Sequence, residues 1–322
     1  MKILVYGSLN IDLVFTVDHI VRSGETISSV SLEKSAGGKG ANQAAALAKA
    51  GMDVYIAGKI GEDGRFLLDL LESYGVNTKK VALYSGATGQ ALIQLDRNKQ
   101  NSIILYAGGN GEIQKSEIND VLESFGPGDA VLLQNEIPYT GTIMEKAKGQ
   151  GMKIFLNPSP YNEKIGELPL NLVDVFFLNE IEAAALASLP EETSPLLILD
   201  QLCGCFSTVE IILTAGSDGA YYGFGKTREK GEITKLPVVD TTGAGDTFTG
   251  YYIAAREKLC SVAETLNLAC KAASIAVSRK GAMQAIPFKD EVFKTSADSF
   301  TPSTTRKNPP EMPQPRLRRW SR

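Results

Sequence analysis

The sequence predicts an α/β fold: a mostly parallel central sheet with helices on both faces, and a small β-sheet lid. Short, continuously apolar runs alternate along the chain with segments of helical period, as repeated strand-helix units require. Two stretches, about residues 11–36 and 86–107, break that rhythm by alternating apolar and polar residues with many β-branched side chains, and they read as a second sheet. A side-chain-poor turn, Gly243-Ala244-Gly245, opens onto an apolar-periodic helix starting near Asp246.

The chain begins Met1-Lys2-Ile3-Leu4-Val5, a strand entering the core, and predicted strands cover 2–6, 54–58, 130–134, 153–156, 175–178 and 210–214. Helical patterns follow at 40–50, 65–74, 116–123, 141–149 and 180–187. The main body is expected to comprise 1–10, 37–85 and 108–295, with 11–36 and 86–107 forming the lid. From Ser296 to Arg322 the chain is rich in Pro, Ser, Thr and Arg, lacks periodicity and is expected to be a disordered tail.

At 322 residues with 43% hydrophobic content, the chain can bury a sizeable core. No apolar run approaches the ~20 residues needed to span a bilayer, so a cytoplasmic protein is expected. A net charge of −4 offers no general attraction to nucleic acid or membrane. Cys203, Cys205, Cys260 and Cys270 form no disulfide-rich pattern and are expected to be reduced, buried small residues; with His19 the only histidine, neither a zinc site nor histidine catalysis is supported.

The chemistry concentrates in Val239-Asp240-Thr241-Thr242-Gly243-Ala244-Gly245-Asp246-Thr247-Phe248. A glycine turn at a helix start presents unpaired N–H groups and the positive end of the dipole, which suits a phosphate whose charge grows in a transition state. A carboxylate beside it, Asp246, makes chemical sense as the base for an attacking hydroxyl; an Asp stabilising the first helical turn is the other reading. The loop 37–42 has a related logic, since glycines let the backbone approach a hydroxylated ligand closely.

The 239–248 segment resembles the C-terminal signature of the PfkB family of carbohydrate kinases. Ser35-Ala36-Gly37-Gly38-Lys39-Gly40-Ala41-Asn42-Gln43-Ala44 resembles the family's other signature, in the form carried by its ribose-phosphorylating members. Further similarities fall at Gly7-Ser8-Leu9-Asn10-Ile11-Asp12, Thr88-Gly89-Gln90-Ala91, Gln134-Asn135-Glu136-Ile137-Pro138, Asn157-Pro158-Ser159-Pro160 and Asn179-Glu180-Ile181-Glu182, so the likeness covers roughly residues 1–290. It implies an ATP-dependent kinase acting on a sugar's primary hydroxyl, with ribose favoured over fructose, and with deoxyribose, another sugar or a nucleoside as alternatives. Asp246 would be the base, and Gly243, Ala244 and Gly245 the anion hole. Gly38, Lys39 and Asn42 would contact the sugar, joined by Asn10 and Asp12 from the end of the first strand and Glu136 from a later one. Asn179, Thr214, Gly216, Ser217 and Gly245 would hold the nucleotide, with Glu182 organising Mg2+ and its waters. Carbonyls and side chains around Asp240, Thr242, Ala276, Arg279 and Gly281 would enclose a monovalent cation, K+. The lid would cover the sugar site and form a homodimer contact.

Plainer readings stand beside these: turn chemistry for Asn10 and Asp12, a solvated loop lysine for Lys39, helix-dipole stabilisation for Glu182 and an ordinary turn at Gly216. Ala285 stands where the family often has a Ser, which removes one oxygen from the implied cation site. Gly225-Lys226-Thr227 imitates the end of a phosphate loop, but its strand-like neighbours Tyr221, Tyr222 and Phe224 make it a hairpin. Gly243-Ala244-Gly245 could begin a dinucleotide fingerprint, but Phe248 occupies the third glycine position, which weakens a nicotinamide-dependent oxidoreductase. A non-catalytic sugar-binding regulator is opposed by the retained Asp246 and intact glycine turn.

Overall fold

The computed structural model describes residues 1–98 and 100–293; the tail expected from Ser296 lies outside the described residues. In chain order the elements are β1 (Lys2–Tyr6), β2 (Asn10–Thr16), β3 (Ser31–Gly37), α1 (Lys39–Lys49), β4 (Asp53–Ile60), α2 (Arg65–Ser73), β5 (Asn77–Leu83), β6 (Gly89–Leu95) and β7 (Asn101–Tyr106). There follow α3 (Glu117–Leu122), β8 (Ala130–Gln134), α4 (Thr140–Gly149), β9 (Lys153–Asn157), β10 (Val175–Asn179), α5 (Glu180–Ala187) and α6 (Pro195–Cys205). The last are β11 (Glu210–Thr214), β12 (Ala220–Phe224), β13 (Thr227–Gly231), α7 (Ala244–Glu257), α8 (Val262–Val277) and α9 (Lys289–Val292).

The main sheet runs β13-β12-β11-β10-β9-β8-β1-β4-β5. Its strands pair in parallel except at the β11-β12-β13 edge, where the predicted hairpin at Gly225 is found. Within β1 the alternation of side chains divides the core: Ile3 and Val5 pack in the cluster that includes α1 and α7, whereas Leu4 and Tyr6 face the one that includes α4 and α6. Burial on both faces explains why central strands such as Ala130-Val-Leu-Leu-Gln134 read as unbroken apolar runs.

The second sheet runs β3-β2-β6-β7, with β2 and β6 parallel and both outer pairs antiparallel. It joins the body near Asn10, which pairs with both Gly37 and Gly89. Its β7 edge carries Ile103, Ile104, Leu105 and Tyr106, each more than half exposed.

Sequence reasoning passed over β5, α6 and α8. β5 is a half-polar edge strand and lacks the apolar run of a central strand. The apolar run ending at Val239 is not a strand: Val238 and Val239 are exposed, and Val239 N–H bonds Val277 C=O at 2.8 Å. Of the four cysteines, all free, only Cys203 and Cys270 are buried; Cys205 is exposed at the end of α6. Among the described residues no helix is long and apolar enough to cross a membrane.

Helices α1 and α7 touch backbone to backbone at Gly250. A Cβ there would lie 2.5 Å from Ala46 Cβ and 2.8 Å from Leu47 N, within the chain that also carries Asn42 and Gln43. Gly250→Ala is therefore expected to destabilise the fold by about 1–3 kcal/mol, as overpacking does. Denaturant midpoints check this, and an unchanged midpoint would show that the two helices separate freely.

Candidate active site

From β1 the chain builds the sheet toward β4 and β5, and from β8 it builds the other way through β9, β10 and β11. The crevice beyond the carboxyl ends of β1 and β8 is thus the switch point where open parallel sheets take ligands. Just past these strands, Ser8 Oγ donates to Glu136 Oε2. The same carboxylate oxygen accepts Lys39 N–H at 3.3 Å, and Ser8 Oγ accepts Gly40 N–H at 3.3 Å, which docks the start of α1 on the crevice. That docking needs glycine, since a Cβ on Gly40 would lie 2.6 Å from the Gly7 and Ser8 backbone.

Asn10 and Asp12, expected at the end of the first strand, instead belong to β2, because β1 ends at Tyr6 and the chain crosses to the second sheet through residues 7–9. Asn10 Oδ1 accepts from Asn110 Nδ2 at 2.7 Å, and Asn110 Oδ1 accepts Leu9 N–H at 3.0 Å. Burial pushes the Asp12 carboxyl up to about 7, and the neighbouring Glu136 carboxylate adds to the shift. Burial raises Glu136 as well, against the opposing effects of the Ser8 hydroxyl and Lys39. The crevice therefore holds two carboxyls that are costly to ionise together.

Asp246 sits in the first turn of α7 and is only 8% exposed. It does not cap the helix; Gly243 occupies that position at φ 73°, a left-handed conformation that favours glycine. Its Oδ2 accepts from Asn42 Nδ2 at 3.0 Å and its Oδ1 from Gln43 Nε2 at 2.9 Å. Asn42 Oδ1 is buried without a partner. The first intrahelical bond runs from Thr247 N–H to Gly243 C=O at 2.8 Å, so the Gly245 and Asp246 N–H groups precede it, while Ala244 N–H is directed at Thr241 C=O over 3.3 Å.

A cavity of about 460 Å³ opens at this helix start. Its lining brings together Lys39, Asn179, Glu182, Thr214, Gly216 and the 243–246 turn, but not Ser217, which lies in the neighbouring exposed turn Gly216–Asp218. Asn179 and Glu182 form a capping box: Glu182 N–H donates to Asn179 Oδ1 at 2.8 Å, and Glu182 Oε2 accepts Asn179 N–H at 3.0 Å. Glu182 thus caps its own helix and also lines the cavity.

Asp240 joins the two segments read as a cation site. Its Oδ1 accepts Thr242 N–H at 3.0 Å and Thr242 Oγ1–H at 2.7 Å, and its Oδ2 accepts Gly281 N–H at 2.9 Å. Burial acts upward on its pKa, but the bonds from Thr242 and Gly281 outweigh it and hold the carboxyl below its ordinary value. Ala276 C=O accepts Arg279 N–H at 3.0 Å, and Arg279 pairs with Glu291 at 2.5 Å. Ala285 is buried. Among the described residues no three acidic, His or Cys side chains cluster as a metal site.

Ser8, Gln43, Asn110, Gln134 and Asn157 were given no role in the sequence reading. The available signal for Gln134 and Asn157 was a polar residue ending an apolar strand, the position whose side chain meets the crevice.

Fold and site together define an α/β phosphotransferase: a helix start with unsatisfied N–H groups, a buried carboxylate beside them, and a cavity on one side of it with polar groups on the other. Residues 1–289 match the model of the pfkB family carbohydrate kinases, and the chain belongs to that family. It is 32% identical over 301 residues to the ribokinase of Staphylococcus aureus, covering 90% of this chain and 98% of that one. The crystal structure of the Cryptococcus neoformans ribokinase in complex with ADP superposes with a TM-score of 0.80 at 35% identity, covering 90% of this chain and 98% of that one. The Arabidopsis thaliana ribokinase complexed with ribose and ATP gives 0.81 at 32% identity, covering 90% and 97%.

The Asp12 carboxyl carries a pH signature. Its folded value lies above the unfolded one, so its stability contribution is fully present below about pH 4 and is lost as pH rises through about 7. Asp12→Asn is expected to be more stable than the unchanged chain at pH 8, with the gain fading toward pH 4. Denaturant midpoints at the two pH values measure this; an equal gain at both would mean that charge is not its source.

Proposed function

We propose that this chain is an ATP-dependent ribokinase, transferring the γ-phosphoryl group of ATP to the 5-hydroxyl of D-ribose. The observation that carries the reading is Asp246: a buried carboxylate, oriented by two amide donors, that lines the nucleotide-sized cavity and lies close enough to Glu136 of the polar crevice for their charges to interact. The ribokinase relatives, one complexed with ribose and ATP, support the same substrate pair.

In this mechanism Asp246 accepts the hydroxyl proton as the sugar oxygen bonds to the γ-phosphorus. The bond from that phosphorus to the bridging oxygen breaks and ADP leaves with the electron pair. The N–H groups at the 243–246 turn meet the charge spreading over the transferring group. Asn42 Oδ1, left without a protein partner, accepts from a sugar hydroxyl, and Asp12, Glu136, Asn10, Gly38 and Lys39 complete the sugar contacts. Asn179, Thr214, Gly216 and Ser217 hold the nucleotide. Glu182, with one oxygen not used in its capping box, would accept from the waters of a Mg2+ brought in with ATP, which would supply neutralisation of the phosphate charge. The second sheet serves as lid over the sugar and, through its apolar β7 edge, as the contact of a homodimer. The cytoplasm, which supplies ATP, is the proposed location.

Asp246→Asn is expected to lower kcat by about 10²- to 10⁴-fold while the fold and sugar binding persist, since it removes a group used only in the transition state. Near-normal kcat with only a raised KM would remove it as the base. Across ribose, deoxyribose, fructose and adenosine, ribose should give the highest kcat/KM; a better rate with fructose or adenosine overturns the substrate assignment.

K+ held by the Asp240 and 276–281 segments would stiffen the glycine turn from behind, so its effect should fall on kcat. Potassium is expected to activate more than sodium or lithium at constant ionic strength, and Ala285→Ser to lower the concentration required. Equal rates in the three salts would take the cation out of the mechanism.

A further inference from the structure

Gln43 is 0% exposed, and each of its side-chain polar atoms is engaged. Its Nε2 donates to Asp246 Oδ1 at 2.9 Å and to Asn157 Oδ1 at 3.0 Å, while its Oε1 accepts from Gln134 Nε2 at 2.6 Å. The direction of this network is set at its ends. The Phe177 carbonyl can only accept, so Asn157 gives it Nδ2, at 2.9 Å, and turns Oδ1 toward Gln43. An ionised Asp246 can also only accept. Both neighbours therefore demand the Nε2 of Gln43 and leave its Oε1 for Gln134, which is itself fully buried. Gln134 is held in place sterically: its Oε1, which has no hydrogen-bond partner, packs so closely on Gly7 that a Cβ there would lie 1.9 Å away.

We propose that Gln43, locked by Gln134 and Asn157, is the positioning residue that sets the rotation of the Asp246 carboxylate. A reversed Gln43 amide would turn a carbonyl oxygen toward Asp246 in place of a donor. Asn157, fixed by the Phe177 carbonyl, forbids that reversal, since it would face acceptor with acceptor, and the bond from Gln134 would be lost as well unless that amide turned with it. Gln43→Leu takes a donor away from Oδ1, and the loss of a donor to a carboxylate's charged form is read in a pH profile. Gln134 hydrogen-bonds Gln43 and not Asp246. The inference rests on the role of Asp246 as base.

The test uses the whole chain with Gln43→Leu, Gln134→Leu and the double variant, measuring kcat, KM and the pH profile of kcat with ribose and ATP. Gln43→Leu should lower kcat about 10- to 100-fold, the scale of a misaligned reacting group, and move the acid limb of the profile to higher pH. Its KM for ribose should stay within about threefold, as expected when only transition-state alignment is lost. Gln134→Leu should act in the same direction but less, and the double variant should be no slower than Gln43→Leu. The proposal is overturned if melting temperatures fall while kcat and the acid limb stay put, or if the two substitutions multiply in full. Should Gln43→Leu not fold, the acid limb of Gln134→Leu alone decides. Ribose turnover by the unchanged chain separates this inference from the substrate assignment: if another sugar is the one phosphorylated, that assignment falls and the same variants are judged on that sugar. If the unchanged chain phosphorylates none, both fall.

Discussion

The site depends on a backbone approach that only glycine permits. Gly7 and Gly40 bring the first turn of α1 against the end of β1, and Gly250 brings α7 against the middle of α1. With α1 clamped between strand and helix, Asn42 and Gln43 reach Asp246 from 204 and 203 residues away in sequence, at 3.0 Å and 2.9 Å. A larger side chain at any of the three glycines would push elements apart by more than a hydrogen bond tolerates. The glycines of the 35–44 segment thus serve packing as much as ligand approach.

Electrostatic cost marks the other half of the site. Asp12 and Glu136 are both half-buried and both shifted upward, with Lys39 beside Glu136 the one cation that opposes the shift. Such an arrangement is unfavourable for folding and is reasonable only where hydroxyl donors from a ligand take up the acceptors. Asp246 differs because two protein amides, those of Asn42 and Gln43, already donate to it.

Much of the architecture was legible in the sequence, and the reasons are physical. β1, β8 and β11 are central strands whose burial on both faces leaves an unbroken apolar run, and the second sheet stood out by the polar residues interleaved through β2 and β6, whose side chains are mostly half-buried. β5 was not legible because an edge strand has no such run. Within the site, Asp246, Asn42, Lys39 and Glu182 stood in recognisable segments, and the fold does bring them to one place. Asn110, Gln134 and Asn157 were missed because their partners lie across the fold: a buried amide between Leu9 and Asn10 cannot be read from the local composition around Asn110. The strand membership of Asn10 and Asp12 was misread for a related reason, since the short crossing after β1 has no strong turn residue beyond Gly7 to announce it.

The second sheet is stitched to the body at four places rather than hung from one. The chain crosses between the sheets after β1, before α1, before β6 and after β7, and a glycine lies at each crossing: Gly7, Gly38, Gly86 and Gly108. A sheet tethered this way tilts as a plate about a line through its crossings instead of flapping like a single loop. Asn10, paired with Gly37 and Gly89, lies on that line, whereas Asp12 stands two residues out along the same strand, roughly 7 Å away at strand rise. Tilting would therefore leave Asn10 nearly still and carry Asp12 through an arc, making one residue the pivot and the other the pointer of the same lever.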